Sequence, residues 1–208
     1  DARDAAVLGC RYMTAYHALA DRAGLAGGDW LAVHGCGGVG LSAVQLGRAL
    51  GARVIGVDPD ERARTRATSL GATATVDPTE SSPVEAVRER TGGGADVSVD
   101  ALGIAETCRN SIRCLRERGV HAQVGLTTDR ERGEIGLPTD WMTRWEITFV
   151  GSRGMPPTNY GALFDLVEST GIDPGSLVAR ELSLEDVSAR LAAMDAFDTN
   201  GVEVVTTL

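Results

Sequence analysis

With 208 residues, 43% apolar and 24% charged, the chain has the composition of one sizeable globular domain with room for an appendage. Its formal net charge of −9 and lack of any basic block exclude a nucleic-acid surface, and no apolar run has the length of a membrane span or the form of a signal peptide. Cys10, Cys36, Cys108 and Cys114 are scattered without C-x-x-C spacing, which predicts reduced thiols in a cytoplasmic protein rather than a disulfide framework or a self-contained structural zinc site.

Helical and strand patterns alternate along the chain. Residues 5–23 read as helix, broken by Gly24, Gly27 and Gly28 before a first strand from Trp30 to His34. A helix over 38–50 closes at Gly51, and a second strand covers 53–57. A charged helix follows and ends near Leu70, with Arg62, Arg64 and Arg66 on a solvated face. A short strand at 73–76, a helix at 84–90, a strand at 97–101, a helix at 105–116 and strands at 120–124 and 147–150 complete the alternation. Between the last two, 127–146 is predicted as loop holding Trp141 and Trp145, which, like Met155, suit packing better than a substrate cleft. Helices at 160–169 and 186–194 and a strand at 202–206 finish the chain, the last pairing outside the main sheet.

Strands joined by helices imply parallel neighbours. Six of them predict an α/β fold with a doubly wound parallel six-stranded sheet of order 3-2-1-4-5-6, the Rossmann arrangement, with a C-terminal extension. The expected division is a helical lead-in over 1–26, a dinucleotide-binding domain over 27–155, and C-terminal helices and strand over 156–208 that belong partly to a catalytic domain.

The glycine-rich turn after the first strand carries the chemistry. Gly35, Gly37 and Gly40 supply G-x-G-x-x-G. The first permits a tight turn, the second lets the backbone approach a pyrophosphate, and the third lets helix and strand pack closely. The amides around Gly37, Gly38, Val39 and Gly40 then face the phosphates at a helix N-terminus, where the dipole favours negative charge. Asp58 lies 18 residues past Gly40, at the end of the second strand, placed to accept from the adenosine ribose hydroxyls. A 2′-phosphate would meet Asp58 with like charge, so NAD is expected over NADP, although Arg62 and Arg64 on the next helix can soften that preference.

Cys10, Thr14 and His17 stand at i, i+4 and i+7, one face of an α-helix. By itself that pattern fits a small buried thiol and a packed or capping imidazole as well as it fits a metal or substrate face.

Leu8-Gly9-Cys10 with Thr14 four residues on, followed by the glycine turn, resembles the zinc-dependent medium-chain alcohol dehydrogenases. Leu70-Gly71-Ala72, Val99-Asp100-Ala101-Leu102-Gly103, Val124-Gly125-Leu126 and Val150-Gly151-Ser152 extend the likeness over nearly the whole chain. The resemblance implies that Cys10 is a catalytic zinc ligand and that Thr14 lies near the nicotinamide. It also implies that Leu102, Gly103, Gly125 and Leu126 pass the nicotinamide half of the cofactor. In that family the other zinc ligands and the proton-relay hydroxyl precede the Gly-Cys motif, whereas nine residues precede Cys10 here and the first is Asp, as in a processed or truncated chain. His17, His34 and His121 do not restore the set, and no basic residue stands near Gly201-Val202-Glu203 to approach the pyrophosphate, as one often does in that family.

The expectation is therefore the NAD-binding portion of an oxidoreductase that transfers hydride between nicotinamide and a small alcohol or carbonyl substrate, with zinc as Lewis acid in the intact enzyme. The chain alone is expected to bind cofactor without turnover. The intact enzyme is expected to form a homo-oligomer, a dimer or tetramer, through an apolar sheet edge at 147–150. A zinc-independent quinone or enoyl reductase-like relative, or a nucleotide-sensing or methyl-donor-binding module, are the other readings.

Overall fold

The structure, a computed structural model, describes residues 2–195 and 201–207. Positions 1, 196–200 and 208 of the expected lead-in and C-terminal segment lie outside the described residues.

Strand β1 (Trp30–His34) is buried on both faces beyond its first residue, as a central parallel strand must be. Leu31 and Val33 enter one core and Ala32 the other, the period-two division of a pleated strand. Its parallel partners are β2 (Arg53–Val57) and β4 (Ala95–Asp100), with Leu31 opposite Val54 on one side and Val97 on the other. With β3 (Ala74–Val76), β5 (Leu115–Gln123) and β6 (Thr148–Gly151), the sheet has the order β3-β2-β1-β4-β5-β6, entirely parallel. This is the predicted doubly wound sheet. Its strand order reverses between β1 and β4, and β6 is one edge.

One core carries α3 (Gly38–Ala49) through Leu41, Val44 and Leu46, together with the N-terminal segment through Tyr12 and Leu19. The other is built on Ala86 and Val87 of α5 (Pro83–Thr91), Ile55, Cys114 and Leu115. Local signals set the helix ends. Asp60 accepts from the Arg62 amide at the start of α4 (Glu61–Ser69), and α5 begins on Ser82 with Pro83 in its first turn and stops at a left-handed Gly92.

The structure corrects the sequence reading in several places. The N-terminal helix is not uniformly α: α1 (Ala2–Val7) and α2 (Met13–Tyr16) alternate with π-helical turns at Leu8–Tyr12 and His17–Arg22. Helix α6 is Ala105–Arg113 and stops short of 116, because β5 already begins at Leu115. Between Ala95/Leu115 and Val97/Val120 the pairing register shifts, and Arg118 takes a left-handed φ of 62°. Charged residues looped out of a bulge carry no strand alternation, which hides the early part of β5. The predicted 127–146 loop contains α7 (Thr139–Arg144), with Trp141 and Trp145 stacked 5.0 Å apart.

The C-terminal part holds α8 (Tyr160–Thr170), α9 (Val187–Asp195) and a strand the sequence did not signal, β7 (Val178–Ser183). This strand pairs in parallel with β8 (Val202–Thr207), outside the main sheet. Among the described residues, no helix is long and apolar enough to cross a membrane.

Candidate dinucleotide site

At the end of β1 the chain turns on Gly35, whose φ of +90° is open to glycine but strained for any other residue. The Gly35 amide donates to the Val57 carbonyl at 2.9 Å, joining the turn to the end of β2. One residue on, the Cys36 amide donates to Asp58 Oδ2 at 2.7 Å, while Asp58 Oδ1 accepts from the Asp60 amide at 2.8 Å. The carboxylate is thus held against the glycine turn by its own chain, and each oxygen keeps a further acceptor position.

Helix α3 starts at Gly37 with no side-chain cap, so the first-turn amides of Gly38, Val39 and Gly40 have no intrahelical partners and no capping side chain. Gly37 faces open space, and a Cβ on Gly40 would overlap the Gly35 carbonyl. The Cys36 thiol is buried against Gly56 and Asp58; burial, then the Asp58 charge, raises its pKa and keeps it protonated.

Two findings change the charge picture. Arg64, expected on a solvated face, is tied down: its Nη1 donates to the Asp58 and Pro59 carbonyls, both at 2.8 Å, and pairs with Asp77 at 2.8 Å. Arg66 similarly donates to the Ser176 carbonyl at 2.8 Å, whereas Arg62 lies out along Asp60. The basic residue not found near Gly201 in the sequence is supplied from afar. Arg11 Nη1 donates to the Gly201 carbonyl at 3.0 Å, and its guanidinium lies 2.6 Å from where a Gly38 Cβ would sit, at the N-terminus of α3.

On the far side of the switch point, the loop after β4 brings Leu102 and Gly103 against Gly125 and Leu126 of the loop after β5. Leu126 is 80% exposed above them.

The lead-in residues differ in exposure and in partners. Cys10 is exposed, Thr14 is buried with Oγ1 3.8 Å from Met13 Sδ, and His17 Nδ1 pairs with Asp21 at 2.7 Å. Two π turns interrupt the uniform α-helical spacing on which the i, i+4, i+7 reading rests. His34 and His121 are buried in the sheet, and desolvation lowers the pKa of both, that of His34 to about 3. Among the described residues no three His, Cys, Asp or Glu side chains cluster as a metal site. A catalytic zinc needs about three protein ligands, so these residues do not by themselves fit one.

A family model for zinc-binding dehydrogenases matches residues 38–169. Geraniol dehydrogenase of Castellaniella defragrans is 40% identical over 121 residues, covering 57% of this chain and 32% of that protein. Sorbitol dehydrogenase of Halalkalibacterium halodurans is 31% identical over 174 residues, covering 82% of this chain and 50% of that one. An alcohol dehydrogenase from Thermus sp. ATN1 superposes with a TM-score of 0.89 at 26% identity, over 100% of this chain and 59% of the other. A zinc-binding dehydrogenase-type protein from Sinorhizobium meliloti 1021, solved with NADP bound, superposes at 0.79 and 26% identity, over 96% and 58%. The chain spans half or less of the length of these two curated relatives. Its topology, its glycine turn and these matches agree: the chain belongs to the zinc-binding dehydrogenase family.

Proposed function

We propose that the chain is the NAD-binding portion of an alcohol dehydrogenase-like oxidoreductase acting on a small alcohol or carbonyl substrate. The observation that carries this reading is the Asp58 carboxylate fixed to the Cys36 amide at 2.7 Å, beside the uncapped start of α3. In a doubly wound sheet the ligand lies across the carboxyl ends of the strands at the switch point. The amides of Gly38, Val39 and Gly40 would hold the pyrophosphate, with Gly35 and Gly37 giving backbone clearance and Arg11 countering its charge. On the β2 side Asp58 would accept from the ribose, and Leu102, Gly103, Gly125 and Leu126, in the loops after β4 and β5, would hold the nicotinamide half. NAD supplies the hydride acceptor, and this chain supplies position and orientation.

NAD is preferred over NADP because a 2′-phosphate would face the Asp58 carboxylate while Arg64 is engaged by Asp77. Cys10 is proposed as one zinc ligand and Thr14 as a residue near the nicotinamide, both completed by groups outside this chain. The chain alone binds dinucleotide without zinc-dependent turnover.

Calorimetric titration of the chain with NAD, NADP and S-adenosylmethionine tests the reading. NAD is expected to bind most tightly. Tighter binding of NADP would remove the argument from Asp58, and binding of S-adenosylmethionine alone would overturn the assignment.

A further inference from the structure

Asp100, the last residue of β4, is fully buried, and a buried carboxylate persists only where its lone pairs are filled. Here the donors come from both loops at the carboxyl end of the sheet. Oδ1 accepts from the amides of Leu102 at 2.9 Å and Gly103 at 3.0 Å, with Thr107 Oγ1 at 3.1 Å. Oδ2 accepts from Gln123 Nε2 at 2.9 Å, and that same amide nitrogen donates to the Gly125 carbonyl at 2.9 Å. The Asp100 carbonyl accepts from the amides of Val124 at 3.0 Å and Gly125 at 2.8 Å. One residue therefore fastens the loop after β4 and, directly and through Gln123, the loop after β5.

The bonds behind Gln123 fix its orientation. Its Nε2 faces two acceptors, so its Oε1 takes the proton of His121 Nε2 at 3.0 Å. His121 Nδ1 is then an acceptor, and Ser98 Oγ at 3.2 Å and Ser111 Oγ at 3.0 Å are the hydroxyls beside it. The network runs from the sheet interior to the loops, with one of the two serine hydroxyls donating to His121 Nδ1 and the Thr107 hydroxyl shared between Asp100 and the Ile104 carbonyl at 3.0 Å. The loops themselves touch backbone to backbone: Gly103 has a φ of +95°, a Cβ on it would overlap the Leu126 carbonyl, and one on Gly125 would overlap the Gly103 amide.

We infer that Asp100, with Gln123 behind it, is the positioning residue that sets the two-loop cradle under the nicotinamide half of the dinucleotide, without touching the cofactor itself. This rests on the proposed dinucleotide function, and it places the determinant of nicotinamide geometry in a buried side chain rather than in a surface one. The proposed phosphate and adenosine contacts belong to other residues, on the β1 and β2 side, which the loop after β4 meets where Leu102 backs Gly35.

The test compares NADH with ADP-ribose, which lacks the nicotinamide, by titration of the wild-type chain, Asp100→Asn and Gln123→Met. Asp100→Asn sets an amide N–H against donors on one side or the other, and Gln123→Met removes the tie to Gly125 with similar volume. Each variant should weaken NADH about tenfold and change the fluorescence of the bound reduced nicotinamide, with ADP-ribose affinity held within about twofold. Equal weakening of both ligands, or no change in either with the fold intact by circular dichroism, would overturn the inference. Should Asp100→Asn fail to fold, Gln123→Met decides by the same comparison. If the wild-type chain binds neither ligand, the proposed function falls and this inference with it; if it binds both and the variants do not separate them, this inference alone falls.

Discussion

The Asp58 carboxylate and the Cys36 amide, 2.7 Å apart, join the end of β2 to the glycine turn after β1. The acid that would read the ribose also holds the loop that would read the phosphates. In the proposed function, ribose recognition and turn geometry are therefore coupled through one side chain. Asp58→Ala should weaken NAD by about 1–2 kcal/mol, the scale of a charge-assisted hydrogen bond, and narrow the gap to NADP. Adding Asp77→Asn releases the Arg64 ion pair and should raise NADP affinity further. Titration with both dinucleotides checks this, and unchanged NAD affinity in Asp58→Ala would mean the carboxylate serves the loop alone.

In the proposed function Arg11 belongs to the phosphate end. Arg11→Ala should weaken NAD and ADP-ribose alike, by about 1.5 kcal/mol at low ionic strength and less in high salt. This response is the opposite of that expected for Asp100, which separates the two ligands. A salt-independent loss would assign Arg11 to packing over Gly38 instead.

Gly40→Ala places a methyl group on the Gly35 carbonyl and should cost about 3 kcal/mol of stability together with cofactor binding. Gly161→Ala is the control. Gly161 is exposed in α8 with nothing within 4 Å of an added Cβ, and the change should stabilise by about 0.5 kcal/mol through helix propensity. Urea unfolding of both variants gives the comparison.

Acid should destabilise the fold well above the carboxylate range. Burial holds the His34 pKa to about 3 against an ordinary 6.5, with His121 nearby contributing, and it lowers that of His121 too. Unfolded imidazoles take up protons below about pH 6.5 that the folded ones decline, so the unfolded state binds more protons and stability falls with pH. Stability is undiminished above about pH 6.5 and is lost progressively toward pH 3. Between pH 7.5 and 5 the His34 share should be about 2 kcal/mol by urea midpoints. Asp60 and Asp77, held low by hydrogen bonds from Arg62 and Thr79 respectively, act only at lower pH. His34→Leu should flatten the profile in this window; an equally steep profile would place the effect elsewhere.

How much was legible follows from range. Strand β1 is an apolar run between Gly28 and Gly35 and β2 a mostly apolar one between Gly51 and Pro59, so their extents are written locally, and β2 matches its predicted 53–57 residue for residue. The six-strand order followed from strand–helix alternation, which implies parallel neighbours, together with the glycine fingerprint after the first strand. The glycine turn and Asp58 were readable because their spacing is set by one βαβ unit. Strand β7 was not: its partner β8 begins 24 positions further on, and its mixed charged sequence signals no strand until that pairing exists.

The sequence by itself determined the sheet, the turn after β1 and the acid at the end of β2, because each is encoded by residues close in the chain. Only the tertiary structure decided that Arg11 lies over Gly38 and reaches the Gly201 carbonyl, 190 positions away, that Arg64 is held by Asp77, and that Asp100 gathers the loops after β4 and β5. Those contacts join residues whose separation along the chain carries no periodicity. What fixes them is the need of buried or charged groups to find partners once the sheet has brought them together.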